Sequence, residues 1–227
     1  MSFIKKISLL RQAFLKSIKK DFYSQFGEDK ILEELISKNK NKGFYVDVGC
    51  FHPKKHSNTH LLHKRGWSGV NIDMEQDKID LFNILRPRDY NFVGAISDKV
   101  ENVKIYRSQK YGVGSTIIPN ILSKKNIIDE KHIKTTTLDN VLKLSPFFKK
   151  EIDLLNIDTE GNDFKVLKSL SLLIYKPKII IIESHLNDID KILESETYLY
   201  LKKEGYNLKS WNLYSLIFLN SKFNKLI

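Results

Sequence analysis

The 227-residue sequence has one cysteine, Cys50, and lacks the run of roughly 18 apolar residues that a membrane-spanning helix needs. A single cysteine excludes an internal disulfide and a cysteine-based metal centre, and it indicates a reducing compartment. No long apolar segment with a small-residue cleavage site follows the basic amino terminus, so we expect no export signal. The length suffices for one well-packed domain. These absences predict a cytoplasmic protein that does not span a membrane.

The formal net charge is +11. Such a charge is compatible with an acidic partner, which includes a sugar nucleotide, an anionic glycan, nucleic acid and a membrane surface. Lysine is spread along the whole chain, however, so solvated side chains explain much of the excess. The charge alone therefore does not select a partner.

Residues 1–22 have the pattern of an amphipathic helix. Its apolar residues recur at steps of three or four, with Lys and Arg between them: Phe3, Ile7, Leu10, Phe14 and Ile18. This face lacks Trp, which favours packing on the domain, or on a second subunit of a homo-oligomer, over binding to the inner face of a membrane. We expect residues 23–227 to form the functional domain.

Short β-rich runs then alternate with helical stretches. The runs cover residues 44–48, 69–73, 91–96, 152–158 and 178–184. This alternation predicts a parallel sheet with helices on both faces. A helix is also predicted before the first run, over about residues 27–37.

Two further segments complete the predicted fold. Between the third and fourth runs, a β-rich stretch (103–106), a glycine-bearing loop (112–115) and a helix from about Thr137 are interpreted as an insertion over one end of the sheet. After the fifth run, residues 188–204 are predicted to be helical, and 206–211 and 215–220 are predicted to form a terminal hairpin.

The first two runs end in residues that are typical of a nucleoside site. Gly49 follows Asp47 in the first turn, where a glycine lets the backbone approach a ligand closely. The later glycines of a dinucleotide-binding G-x-G-x-x-G are missing, which favours a cofactor without phosphates. Asp73 ends the second run 26 residues after Asp47, where its carboxylate can accept both hydroxyls of a ribose.

Acidic residues also end the fourth and fifth runs. Asp158 is expected at the carboxyl edge of the sheet, unless it caps the following helix. Glu183 and His185 are expected on one side of the fifth strand, near Asp158. Two carboxylates and an imidazole suit either general base catalysis on a hydroxyl or a divalent-ion site.

Five motifs in order resemble the FkbM family of methyltransferases, over about residues 23–185. The motifs are Ser24-Gln25-Phe26-Gly27-Glu28-Asp29, Val46-Asp47-Val48-Gly49, Ser57-Asn58-Thr59 with Gly66-Trp67-Ser68-Gly69-Val70, Thr137-Leu138-Asp139, and Ile157-Asp158-Thr159-Glu160-Gly161. The segment from His52-Pro53 to Arg86-Pro87-Arg88-Asp89 resembles one branch of that family.

This resemblance implies a class I methyltransferase domain over residues 23–227, a Rossmann-like α/β sandwich. Its sheet would have seven mostly parallel strands and an antiparallel terminal hairpin. S-adenosylmethionine (SAM) would bind over the carboxyl ends of the first strands, with Asp47 and Gly49 near its methionine portion and Asp73 at its ribose. Gln25 is a further candidate for contact with the cofactor.

The resemblance also implies a reaction, because family members often methylate hydroxyls of sugars or natural products. We expect O-methylation of a nucleotide-linked sugar or a glycan building block in polysaccharide biosynthesis. Asp158, Glu183 and His185 would position and deprotonate this small-molecule acceptor. Related sugar methyltransferases use a divalent metal, and Asp158 and Glu183 are the predicted ligands of Mg²⁺ or Mn²⁺.

Two alternatives stay open from the sequence. Nucleic-acid methylation would suit the positive charge, but such enzymes usually have an Asn/Asp-Pro-Pro-aromatic run where this chain has Asp158-Thr159-Glu160-Gly161. A membrane-peripheral protein without catalysis would depend on the amino-terminal helix alone. It would also leave the acidic residues at the strand ends unexplained.

Overall fold

A computed structural model describes residues 22–107, 115–118 and 129–223. The predicted amino-terminal helix lies outside these residues, as do positions 112–114 of the predicted glycine-bearing loop. Within the described ranges, no helix combines the length and the apolar character that crossing a bilayer requires.

Strands and helices alternate along the chain. The strands are β1 (Phe44–Val48), β2 (Ser68–Asp73), β3 (Tyr90–Val93), β4 (Ala95–Ile96), β5 (Asn102–Arg107), β6 (Ser115–Thr116), β7 (Asp129–Thr136), β8 (Leu154–Ile157), β9 (Ile179–Glu183), β10 (Tyr206–Asn212) and β11 (Ser215–Asn220). The helices are α1 (Glu28–Leu35), α2 (His60–Lys64), α3 (Gln76–Leu85), α4 (Leu138–Leu144), α5 (Asp163–Lys168), α6 (Leu172–Tyr175), α7 (Ile189–Glu194) and α8 (Glu196–Lys203).

The main sheet has seven strands in the order β10-β11-β9-β8-β1-β2-β3. The pairs among β9, β8, β1, β2 and β3 are parallel, whereas β11 is antiparallel to both β9 and β10. The predicted α/β class, with a mostly parallel seven-stranded sheet and an antiparallel terminal hairpin, is confirmed.

Both faces of this sheet are buried under helices. In β9, Ile180 and Ile182 belong to one core with residues of α4, α5, α7 and α8, while Ile179 and Ile181 belong to a second core with Leu32 of α1. A strand that is covered on both sides needs apolar residues at every position. This explains why the sequence shows a continuous isoleucine run here instead of an alternating pattern.

The third predicted strand, over residues 91–96, is divided by Gly94. β3 stays in the main sheet, and β4 pairs with β7 in a second sheet of order β4-β7-β5-β6. The amide of Gly94 donates to the carbonyl of Asp73 (3.0 Å), and this is the last hydrogen bond between this segment and β2. The predicted insertion thus forms a small sheet beside the main one, followed by α4.

The predicted helix over residues 188–204 is also divided. Ser195 has an extended backbone between α7 and α8, and its hydroxyl accepts a hydrogen bond from the amide of Tyr198. Serine is a favoured N-cap because its side chain satisfies an amide that the first helical turn leaves free. The second helix therefore starts anew at this serine.

Candidate functional site

The carboxyl ends of β1, β2 and β8 open into a cleft. Five of the predicted site residues line it: Gln25, Asp47, Gly49, Asp73 and Asp158. Apolar side chains, among them Phe51, Ile72, Met74 and Ile96, cover another part of its wall. The predicted residues Glu183 and His185 lie beside the cleft, at the end of β9.

Gly49 is required by the close approach of two strand ends. Its φ is 80°, and a Cβ at this position would lie 1.6 Å from the carbonyl oxygen of Asp158. The sequence predicted that this glycine makes room for a ligand. In the structure the carbonyl group of Asp158, at the end of β8, fills that room.

Asp47 lies in the cleft wall but makes its hydrogen bonds within the protein. Its Oδ1 accepts from Asn156 Nδ2 (2.8 Å), and its Oδ2 accepts from Thr59 Oγ1 (2.6 Å). Burial raises the pKa of Asp47, while hydrogen bonds and the charge of Arg86 oppose that shift. Asp47 thus joins β1 to β8 and to the loop before α2, and its predicted contact with SAM stays a prediction.

Arg86 connects this loop to the sheet, although the sequence assigned it no role. The side chain is buried, and its guanidinium stacks near the ring of Phe82, 4.9 Å from the ring centre. Buried charges are stable only with several partners. Its guanidinium donates hydrogen bonds to Pro53 O, Ser57 Oγ, Thr59 Oγ1, Tyr45 Oη and Asn71 Oδ1.

Asp73 ends β2 as predicted and is buried at the cleft wall. Its Oδ1 accepts from the amide of Glu75 (3.0 Å), and its Oδ2 accepts from the amide of Phe51 (3.2 Å). Lys78 Nζ lies 3.4 Å from the same Oδ2. Burial raises the pKa of Asp73, and the charge of Lys78 opposes that shift. A carboxylate oxygen accepts more than one hydrogen bond, so capacity for ribose hydroxyls remains.

Gln25 is exposed in the segment before α1, where buried neighbours hold the backbone. Asp29 accepts hydrogen bonds from Ser24 Oγ and from the amide of Tyr23, both at 2.7 Å. Glu28 accepts from the amide of Phe26 (3.0 Å). The acidic residues of this motif therefore fix the loop, and they leave Gln25 as the side chain that faces the cleft.

Asp158 is exposed to the solvent of the cleft and is not the cap of α5. The turn after it is closed by Asp163, which accepts from the amide of Thr159 (2.7 Å) and from the amide of Gly161 (3.1 Å). Enclosure by the cleft, followed by the charges of Asp163 and Glu160, raises the pKa of Asp158 well above its ordinary range. The capping alternative that the sequence left open is therefore wrong.

Glu183 and His185 lie together, as the alternation of β9 predicted. His185 Nε2 is 3.3 Å from Glu183 Oε1, and Glu183 Oε2 accepts from the amide of Glu160 (3.1 Å). Burial raises the pKa of Glu183, and the charges of Asp158, Asp163 and Glu160 act in the same direction. A group that neighbours so many carboxylates holds a proton or a cation more readily than an isolated glutamate does.

Glu160 is the member of this group that the sequence did not single out. Its backbone has a φ of 54°, and Glu160, Glu183 and His185 each offer one ligand atom within 4.8 Å of the others. Asp158, the other predicted metal ligand, is not part of this convergent group in the described part of the chain. Glu160 thus occupies the place beside Glu183 that the sequence predicted for Asp158.

The sheet order and the position of the cleft define the fold of SAM-dependent methyltransferases. The chain belongs to the FkbM methyltransferase family, because the model of the methyltransferase FkbM domain matches residues 41–208. The predicted family is confirmed.

A solved structure shows the same fold. Methyltransferase FkbM from Methylobacillus flagellatus KT superposes with a TM-score of 0.50 and 12% identity, over 79% of this chain and 44% of that chain. The present chain thus spans less than half of that protein's length. A TehB-like SAM-dependent methyltransferase from Corynebacterium glutamicum ATCC 13032 Kitasato superposes with a TM-score of 0.46 and 13% identity, over 95% and 97% of the two chains. A comparison with curated proteins finds no match.

Family membership implies SAM as the cofactor, and the residues of the cleft fit it. Ile72, Met74 and Ile96 line an apolar part of the wall that would suit an adenine ring, and Asp73 has the acceptor oxygens that ribose hydroxyls would need. The acidic residues around the cleft suit the positive charges of the sulfonium and ammonium groups.

Asp73→Asn is expected to weaken SAM binding by about 1 to 3 kcal/mol, because the ribose hydroxyls lose a charge-assisted acceptor. Asparagine keeps an oxygen for the amides of Phe51 and Glu75, so the turn should survive. Calorimetric titration with SAM measures the change. Asp77→Asn removes the same charge from the exposed first turn of α3 and serves as the control. Equal affinity in both variants would remove Asp73 from the cofactor site.

Proposed function

We propose that this methyltransferase transfers the methyl group of SAM to a hydroxyl oxygen of a sugar. The acceptor would be a nucleotide-linked sugar or a glycan building block used in polysaccharide biosynthesis. The observation that supports this proposal is the pair of Glu183 and His185, 3.3 Å apart, beside Asp158 at the edge of the cofactor cleft. Acidic and imidazole groups of this kind bind and deprotonate hydroxyls.

The reaction needs positioning more than covalent chemistry. The acceptor oxygen attacks the methyl carbon in line with the carbon–sulfur bond, and that bond breaks as the new carbon–oxygen bond forms. Sulfur keeps the electron pair, so the sulfonium becomes a neutral thioether. The hydroxyl proton passes to a base, a role that we assign to His185 as long as its imidazole is not a metal ligand. Glu183 would orient the imidazole through Nε2, and Asp158 would hold the acceptor hydroxyl near the methyl group.

A divalent cation, Mg²⁺ or Mn²⁺, is the second part of the proposal. Glu160, Glu183 and His185 fit such an ion, because they combine two carboxylates with one imidazole in a convergent group. An imidazole ligand suits Mn²⁺ better than Mg²⁺, which prefers oxygen ligands and water. When bound, the ion would lower the pKa of an acceptor hydroxyl that it coordinates.

The acidic rim disfavours nucleic acid as the acceptor. Asp158, Glu160 and Glu183 lie together beside the cleft, and those of them that keep their charge would repel a phosphate backbone. The positive net charge is therefore no argument for nucleic-acid methylation at this site.

We place the reaction in the cytoplasm, and we propose that residues 1–22 contact the domain, a second subunit or the inner face of the membrane.

The proposal is tested by measuring SAM consumption with a panel of acceptors. We expect turnover with nucleotide-linked sugars or with simple glycosides, and none with RNA or DNA. The methylated product, isolated and analysed by NMR, shows whether the new methyl group is on oxygen. SAM binding without turnover on any hydroxylated acceptor would contradict the proposed function.

A further inference from the structure

The turn of the terminal hairpin lies at the reactive edge of the sheet. β10 and β11 pair up to Asn212 and Ser215, so Leu213 and Tyr214 form the turn. Ser215 is also paired with Glu183 of β9, and the amide of Ser184 donates to the carbonyl of Tyr214 (2.7 Å). Tyr214 is therefore fixed next to the strand end that supplies Glu183.

Tyr214 is exposed and lies between two other rings. Its ring centre is 5.7 Å from that of His185 and 5.5 Å from that of Phe26, with the planes tilted by 57° in both pairs. The residue is 48% exposed. Aromatic rings at these distances stabilise each other's orientation. Phe26, Tyr214 and His185 thus form a surface, called here the aromatic rim, in which Tyr214 is held next to the proposed base, His185.

The aromatic rim is also anchored to the segment that faces the cofactor cleft. Asn212 Nδ2 donates to the carbonyl of Phe26 (2.9 Å), and Ser215 Oγ donates to Glu28 Oε1 (3.0 Å). Phe26 directly follows Gln25, which lines the cleft. The rim, the cofactor cleft and the Glu183–His185 pair are therefore parts of one continuous surface.

The backbone of the turn is strained. Leu213 has a φ of 52°, a left-handed conformation that residues with a side chain rarely adopt. The indole nitrogen of Trp211 donates to the carbonyl of Leu213 (2.7 Å), which helps to hold the turn. Two-residue hairpin turns need a positive φ at their first central position, so Leu213 satisfies the turn that fixes Tyr214 beside Glu183 and His185.

We propose that the aromatic rim binds the sugar ring of the acceptor, with Tyr214 as the residue on which the ring stacks. This inference rests on the proposed function above. A pyranose ring has an apolar C–H face that packs on an aromatic ring, and hydroxyls around its edge that hydrogen-bond to groups such as Glu183 and His185. The neighbouring carboxylates Asp158, Glu160 and Glu183 favour an uncharged ring here over a phosphate.

Glycoside binding tests this inference without requiring turnover. The probes are methyl α-D-glucopyranoside, methyl α-D-galactopyranoside and methyl α-L-rhamnopyranoside, titrated by saturation-transfer NMR into the chain loaded with S-adenosylhomocysteine. We expect binding through the ring C–H protons, at least about tenfold weaker in Tyr214→Ala and near wild type in Tyr214→Phe. Phe148→Ala is the matched control, because Phe148 is also 48% exposed but precedes β8 at the opposite edge of the sheet.

SAM affinity and the melting temperature check that each variant is folded. If Tyr214→Ala loses either, Tyr214→Leu keeps the bulk without the flat ring and decides the comparison. Three results would overturn the proposal that the aromatic rim binds the sugar ring. They are a folded Tyr214→Ala variant that binds glycosides as the wild type does, a wild type that binds no glycoside, and a substitution that changes the oligomeric state but not the glycoside affinity. Tyr214-dependent glycoside binding without methylation of any acceptor would instead contradict the proposed function alone.

Discussion

Gly49→Ala is expected to destabilise the fold by more than about 4 kcal/mol and to abolish SAM binding, because no relaxation of a side chain can relieve its clash. The new Cβ would lie 1.6 Å from a backbone carbonyl oxygen, that of Asp158, so β1 and β8 would have to separate. In a chain of this length each kcal/mol lowers the melting temperature by roughly 2 to 4 °C. Thermal unfolding and calorimetric titration with SAM measure the two effects.

Gly205→Ala is the matched control for this prediction. Gly205 has a similar φ of 85°, but a Cβ there meets only Ser221 Oγ at 3.5 Å, an ordinary contact. That variant should lose about 1 to 2 kcal/mol, the strain of a left-handed backbone without a clash. Equal losses in the two variants would show that backbone conformation, rather than the approach of β8, explains the need for glycine at position 49.

The central strands of the main sheet and their parallel pairing were predictable because these strands are buried on both faces. Such strands give continuous apolar runs, as in Ile179–Glu183, and the runs end in the polar residues that face the cleft. Two boundaries were not predictable from these patterns. The run over residues 91–96 stays apolar through Gly94, where the chain changes sheets, and the helical pattern over residues 188–204 continues through the cap at Ser195.

Within the site, the residues at strand ends were predictable and those in turns were not. Parallel strands bring their carboxyl ends to one edge, so Asp73, Asp158 and Glu183 were expected there. Glu160 joins Glu183 only because the backbone of the turn is left-handed, with a φ of 54°. A sequence pattern gives no sign of that conformation at a glutamate, since such residues adopt it rarely.

The hydrogen bonds that hold the loop before α2 and join β1 to β8 could not be predicted from the sequence either. Arg86 lies 27 residues from Thr59 along the chain, and Asp47 lies 109 residues from Asn156. One signal was present: Asn156 is a polar residue in the middle of an apolar strand, and a buried amide must find a partner. Which partner it finds depends on strand order, which is known only once the sheet is assembled.

The second large expected effect is the loss of turnover when a divalent cation is removed from the group of Glu160, Glu183 and His185. Burial, together with the charges of Asp158, Asp163 and Glu160, raises the pKa of Glu183, so this carboxyl group holds a proton or a cation more readily than an isolated glutamate does. We expect a chelator to abolish turnover, and Mn²⁺ or Mg²⁺ to restore it. Glu160→Gln should raise the Mn²⁺ concentration needed for half-maximal rate, because hard cations prefer anionic oxygens.

Asp158→Asn tests the acid that faces the cleft directly. It should lower turnover even at saturating metal, because an asparagine amide can neither take up the hydroxyl proton nor carry a negative charge, whereas SAM affinity should change little. Glu194→Gln, which removes a charge from the exposed end of α7, is the control for a general effect of charge. A wild-type enzyme that is insensitive to chelator would overturn the metal part of the proposal.

His185→Ala then separates catalysis from metal binding. If the imidazole is a metal-free base, this variant should turn over about 100-fold more slowly or worse while it binds SAM normally. If it is a metal ligand, part of the lost rate should return at high Mn²⁺, because two carboxylates of the group remain. The side chain is 56% exposed, so its removal should leave the melting temperature nearly unchanged. A fully active His185→Ala would exclude this histidine from both roles and would leave Asp158 and Glu183 as the candidate bases.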